Sequence, residues 1–140
     1  AASVKAAGGH ITGVIPERLA SYGLASEYID ELVITRTMAE RKALMESKGD
    51  GFVALPGGFG TLEELLQAIT LKQLHYLHAP VVLLNVAGFY DALLACFERI
   101  YALRFARSEA RQSYRVATTP AEALDYIESY REDNLPLKWQ

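Results

Sequence analysis

At 140 residues, 51% of them hydrophobic and 22% charged, the chain fits one compact domain with a sizeable core. Its 17 acidic residues outnumber its 14 basic ones, and the Lys and Arg residues are scattered, which argues against a DNA or RNA surface, so that any nucleotide it binds is expected to be small. No apolar run is long enough for a membrane span, the N-terminus lacks the sections of a signal peptide, and the single Cys96 cannot form an intrachain bridge, so the cytoplasm is the expected compartment and Cys96 a small core residue.

In chain order, Ala1 to Gly9 reads as the last turns of a helix stopped by glycine, and with no initial Met the chain is expected to be N-terminally truncated. His10 to Pro16 reads as a short strand ended by proline, and Glu31 to Thr35 as a second strand, with a polar loop between them. Thr37 to Lys48 is rich in helix formers, with Met38, Leu44 and Met45 able to share a face. Gly51 to Leu55 is a continuous apolar run, the pattern of a strand buried on both faces, and it leads straight into Pro56-Gly57-Gly58-Phe59-Gly60-Thr61.

After that loop, Leu62, Leu65, Leu66 and Ile69 recur at helical spacing, predicting a helix from near Thr61 to about Tyr76. Pro80 to Val86 is another buried strand. Leu93, Leu94, Phe97, Ile100 and Tyr101 mark an amphipathic helix, and Tyr114 to Thr118 a short strand. Thr119-Pro120-Ala121-Glu122 is a capping box opening a last helix, with Leu124 and Ile127 inward. Apolar strands alternating with helices predict an α/β fold, a Rossmann-like three-layer sandwich on a mostly parallel sheet.

Such sheets bind ligands beyond the carboxyl ends of their strands, which is where the glycine loop lies. Gly57, Gly58 and Gly60 let the backbone approach an anion, the helix start supplies N–H groups and a favourable dipole, and Thr61 adds a hydroxyl. No Lys follows the last glycine, so the Walker pattern is absent, as is the dinucleotide G-x-G-x-x-G spacing. A strand-to-helix turn using glycine for geometry alone is the plain alternative. For Glu64 the plain alternative is Thr61-x-x-Glu64 as a capping box. The adjacent Glu63 tells against that, since paired carboxylates beside a phosphate are awkward unless one faces hydroxyls or developing positive charge. Arg41 and Lys42, on the helix before the glycine-loop strand, could reach the same crevice or form a solvated face with Glu40.

Met38-x-x-Arg41-Lys42 followed by Leu55-Pro56-Gly57-Gly58-Phe59-Gly60-Thr61-Leu62-Glu63-Glu64 resembles the signature of the LONELY GUY family, cytokinin-activating nucleoside 5′-monophosphate phosphoribohydrolases often mislabelled lysine decarboxylases. The likeness continues through Ile69-Thr70, Gln73-Leu74 and Pro80 to Val86 and covers nearly the whole chain. It implies that Pro56, Gly57, Gly58, Gly60 and Thr61 hold the 5′-phosphate and that Arg41 and Glu64 are catalytic. Met38, Lys42, Glu63 and Thr70 then match substrate-binding positions. The implied reaction frees the base from AMP or an N6-prenylated AMP, leaving ribose 5-phosphate, with no metal or organic cofactor, in a homodimer. No lysine stands out as a pyridoxal phosphate anchor, and His10, His75 and His78 lack metal-ligand spacing. Family members begin with a strand, helix and strand carrying another glycine-rich loop, so the resemblance also implies that this unit is missing. Two other classes stay open: a noncatalytic nucleotide or molybdenum-cofactor carrier, and an assembly or regulatory fragment.

Overall fold

Short apolar strands separated by helices can pair only in parallel when each connection crosses back over the sheet, and every strand pair among the described residues is parallel. The computed structural model describes residues 1–23 and 27–131. The chain divides into two compact units, Ala1–Lys48 and a second beginning at Gly49.

In the first unit, helix α1 (Ala2–Ala6) precedes strand β1 (Thr12–Pro16), which pairs with β2 (Glu31–Thr35) in register from Thr12 opposite Glu31 to Pro16 opposite Thr35. The connection is not wholly loop: Glu17, Arg18, Leu19 and Ala20 form a helical turn, α2 (Glu17–Ala20), because good helix formers follow a proline in extended conformation at the N-cap. Residues 24–26 of the polar loop lie outside the described residues. Asp30 fixes the entry to β2. Its carboxylate accepts from the Ile11 N–H at 2.8 Å and pairs with Lys5, and these partners, the Lys5 hydrogen bond first, hold it below the usual carboxylate range.

Helix α3 (Met38–Lys48) lies against β1 and β2. It opens with a cap that the sequence reading missed: the Glu40 N–H donates to Thr37 Oγ1 at 3.1 Å, and the Glu40 carboxylate accepts from the Arg36 N–H at 3.0 Å. Met38, at the first helical position, is exposed rather than sharing a buried face, while Leu44 and Met45 are half-buried.

The second unit holds β3 (Phe52–Ala54), β4 (Val81–Leu84) and β5 (Arg115–Ala117) in the order β3-β4-β5. Central β4 is buried along its whole length, its side chains filling clusters on both faces: Val81 and Leu83 with Leu65, Ile69, Tyr90 and Phe97 on one, Val82 and Leu84 with Ala117 and Ala123 on the other. Strand β3 departs from expectation. It is an edge strand of this sheet, and Val53 is 39% exposed, so a continuous apolar run did not here mean burial on both faces.

Helix α4 (Phe59–Gln73) buries Leu65, Ala68, Ile69 and Lys72, and Leu66, expected on that stripe, is exposed. The true stripe turns one position further round the helix, with Ala68 as its small member. Lys72 is tolerated there because its ammonium donates to the Ala79 carbonyl at 2.8 Å and the Tyr130 hydroxyl at 2.7 Å. Helix α5 (Asp91–Ala102) points Phe97 into the core, while Cys96, one position off the stripe, is exposed rather than buried. Helix α6 (Pro120–Ser129) starts at Thr119, whose hydroxyl accepts from the Glu122 N–H at 3.2 Å. The Glu122 carboxylate reaches back to the Thr118 N–H at 2.7 Å, so Thr118 takes the bond that the capping box predicts for Thr119. Ala123 and Ile127 pack inward, whereas Leu124 is exposed, contrary to expectation. Among the described residues no helix is long and apolar enough to cross a membrane.

Candidate active site

At the end of β3 the chain passes through Leu55 and Pro56 into the glycines and then directly into α4. Gly57 is required by packing, since a Cβ there would collide with Thr61 Oγ1 and come within 3.0 Å of Thr61 Cβ. Gly58 and Gly60 differ: a Cβ on either would meet nothing within 4 Å, so both border open space. Gly58 is the N-cap of α4 and, with no side chain of its own, makes no side-chain cap hydrogen bond. A fifteen-residue helix thus presents its first N–H groups and the positive end of its dipole beside exposed glycines, the arrangement that suits a phosphate.

The helix begins at Phe59, two residues before the expected Thr61, and this alters the reading of Glu64. Thr61 is the third helical residue and Glu64 the sixth, beyond the first turn, so the Thr61-x-x-Glu64 capping box does not form. Gly58 holds the N-cap position instead, in an extended conformation, and Phe59 and Gly60 enter the helix ahead of Thr61. Glu64 is half-buried next to Leu65, while Glu63 is exposed. Phe59, Glu63, Leu66 and Thr70, spaced i, i+4, i+7 and i+11, form one exposed stripe, with Phe59 91% exposed. Thr70 stands about 10 Å along the axis from Glu63 at 1.5 Å per residue. Its hydroxyl donates to the Leu66 carbonyl at 2.7 Å.

The remaining expected site residues lie in the first unit. Met38, Arg41 and Lys42 occupy i, i+3 and i+4 on α3 and so share one side of it. Arg41 is half-buried, and its Nε donates to the Val14 carbonyl of β1 at 2.9 Å, which fixes the guanidinium on the strand.

Sequence reasoning missed a turn beside the glycine loop. After β4, the Asn85 side chain accepts from the Tyr90 N–H at 2.7 Å and donates to Asp91 at 2.8 Å, and the Tyr90 hydroxyl donates to the Leu55 carbonyl at 2.6 Å. The signal was present: an Asn directly after a buried strand, then a glycine three residues on, is turn chemistry. His75, just after α4, has φ 59°, and its Nε2 is buried without a hydrogen-bond partner among the described residues, whereas His78 is exposed. Among the described residues no three His, Cys, Asp or Glu side chains gather where they could hold a metal ion.

A family model described as "possible lysine decarboxylase" matches residues 1–127. The chain belongs to this family. It is the LONELY GUY family of the resemblance, and the relatives carry the other of its two descriptions. A probable cytokinin riboside 5′-monophosphate phosphoribohydrolase of Oryza sativa subsp. japonica is 42% identical over 128 residues, 91% of this chain and 52% of its own length. A cytokinin riboside 5′-monophosphate phosphoribohydrolase of Arabidopsis thaliana is 43% identical over 123 residues, 88% of this chain and 58% of its own length. A second from Arabidopsis thaliana is 42% identical over 123 residues, covering 88% and 57%. The chain therefore spans between 52% and 58% of the length of these LONELY GUY relatives.

Proposed function

We propose that the protein hydrolyses the N-glycosidic bond of AMP or an N6-prenylated AMP, releasing the free base and ribose 5-phosphate. The observation that carries this reading is the uncapped start of α4 beside open glycines, with two carboxylates one to two turns along the same helix. A phosphate at the helix start would put its ribose near Glu63 and Glu64. The relatives' names, all phosphoribohydrolases, support the same reaction over the decarboxylase of the family description.

In this mechanism Pro56, Gly57, Gly58, Gly60 and Thr61 form the phosphate cradle. As the bond to the base breaks, positive charge develops on the ribose, and the Glu64 carboxylate stabilises it and orients water for addition at C1′. The base leaves with the bonding electron pair and takes up a proton. A guanidinium is a hydrogen-bond donor with no acceptor, so Arg41 is assigned to anchoring the phosphate or ribose of the substrate. Lys42 and Met38, on the same side of α3, are assigned to substrate binding. Glu63 is assigned to the ribose hydroxyls and Thr70, further along its stripe, to the base end. The reading uses no metal or organic cofactor, places the protein in the cytoplasm, and takes it to act as a homodimer, for which the exposed Phe59 and Leu66 offer apolar surface.

The test compares the protein with its Glu64→Gln variant on AMP and N6-isopentenyl-AMP. Loss of base release by about 100-fold or more, with nucleotide affinity changed less than about threefold, supports the assignment. Unchanged turnover in the variant removes Glu64 from the mechanism.

A further inference from the structure

One buried polar group reaches the entrance of the glycine loop without entering the chemistry above. Tyr90 is 1% exposed and its ring belongs to the main core of the second unit, yet its hydroxyl donates to the Leu55 carbonyl at 2.6 Å. Leu55 is the last residue before Pro56, and proline has no N–H with which to be held. The Leu55 carbonyl is thus the one hydrogen-bonding group of the peptide unit that leads into Pro56. Because the peptide unit is planar, fixing that carbonyl fixes the plane of the Leu55–Pro56 bond, and with proline's φ locked only the ψ of Pro56 remains to set where Gly57 goes.

Tyr90 is itself held in place. Its N–H donates to Asn85 Oδ1 at 2.7 Å, Asn85 Nδ2 donates to Asp91 Oδ1 at 2.8 Å, and the Asn85 N–H donates to the Ala117 carbonyl of β5 at 2.7 Å. The intervening turn has little freedom: Ala87 and Gly88 both take positive φ, 51° and 73°, and a Cβ on Gly88 would lie 2.5 Å from Asp91 Oδ2. Hydrogen bonds therefore run from β5, through the end of β4, to the exit of β3. Burial raises the Tyr90 pKa, which keeps its hydroxyl a donor.

We propose that Tyr90 is a positioning residue for the phosphate loop: through the Leu55 carbonyl its hydroxyl sets the orientation in which the first N–H groups of α4 meet the 5′-phosphate. This rests on the phosphoribohydrolase reading of that loop. A tyrosine serving only to fill the core would be replaced by phenylalanine with no effect that depends on the ligand's phosphate. A positioning tyrosine would not.

The experiment measures AMP and adenosine binding, and AMP turnover, in the protein, in Tyr90→Phe and in Asn85→Ala. Loss of one hydrogen bond predicts an AMP KM raised about 3- to 10-fold in Tyr90→Phe, with kcat within about twofold and adenosine affinity unchanged. Asn85→Ala, which loosens Tyr90, gives the same phosphate-dependent pattern and carries the test if the tyrosine variant does not fold. Equal AMP affinity in Tyr90→Phe and the unaltered protein overturns the proposal, as does an equal loss for AMP and adenosine. If the unaltered protein binds AMP no better than adenosine, the phosphate-loop reading itself fails and the Tyr90 proposal with it.

Discussion

Gly57 and Gly58 are neighbours with opposite predicted sensitivities. In Gly57→Ala the new methyl collides with Thr61 Oγ1 and lies within 3.0 Å of Thr61 Cβ, so either Thr61 or the first turn of α4 must move. Overpacking of this kind costs about 1–3 kcal/mol. The reduced freedom of the unfolded chain returns about 0.4–1 kcal/mol, leaving a net loss of roughly 1–2 kcal/mol. Thr61→Ala removes the first colliding atom, so the double variant Gly57→Ala/Thr61→Ala recovers about 1 kcal/mol relative to the sum of the single changes. In Gly58→Ala the methyl enters open space at φ −86°, and a weaker N-cap is offset by the unfolded-state effect, so stability changes by no more than about 0.5 kcal/mol. That open space is where the phosphate is assigned. Losing one charge-assisted bond to it weakens AMP binding by about tenfold or more. Urea denaturation and AMP titration of the four variants and the unaltered protein separate the two effects. Gly57→Ala as stable as the unaltered protein, with no coupling to Thr61, would refute the packing argument, and undiminished AMP affinity in Gly58→Ala would refute the anion site.

Two further predictions concern stability and exposure. The Thr118 N–H and hydroxyl hold Glu122 below the usual carboxylate range, so its contribution to stability is present above its unfolded pKa, near 4.5, and is lost as pH falls through the lower folded value. Glu122→Gln should therefore lower the melting temperature at pH 7, with the difference shrinking below about pH 4.5; a constant difference down to pH 3 would contradict the capping role. Cys96 is exposed, so the native protein should react with a thiol reagent such as dithionitrobenzoate at a rate within about tenfold of the urea-unfolded chain; protection of the native thiol would return Cys96 to the core.

Short apolar runs pointed to every strand among the described residues, and β4, with all four residues buried, follows that pattern fully. What it could not supply was which strand lies at an edge. Phe52 to Ala54 is as apolar as β4, yet an edge position exposes Val53, and neighbours are a property of the sheet rather than of the segment. Helical stripes were legible to within one position. Leu66, Leu124 and Cys96 all fell just off the buried side, because small residues such as Ala68 and Ala123 can occupy the centre of a stripe and turn it.

Of the candidate site, the glycine loop was legible from composition alone. The start of α4 was not, because Thr61-x-x-Glu64 imitates a cap while the unadorned Gly58 takes the position. Tyr90 was invisible for a different reason. Its partner Leu55 is 35 residues away, and no local pattern encodes a hydrogen bond of that range.

The most direct measurement of the central claim is the identity of the products formed from AMP and from N6-isopentenyl-AMP, followed by chromatography of base, nucleoside, ribose 5-phosphate and inorganic phosphate together. Phosphoribohydrolase action gives free base and ribose 5-phosphate in equal amounts, with no nucleoside. Nucleoside and inorganic phosphate, or tight nucleotide binding with no product at all, would contradict it.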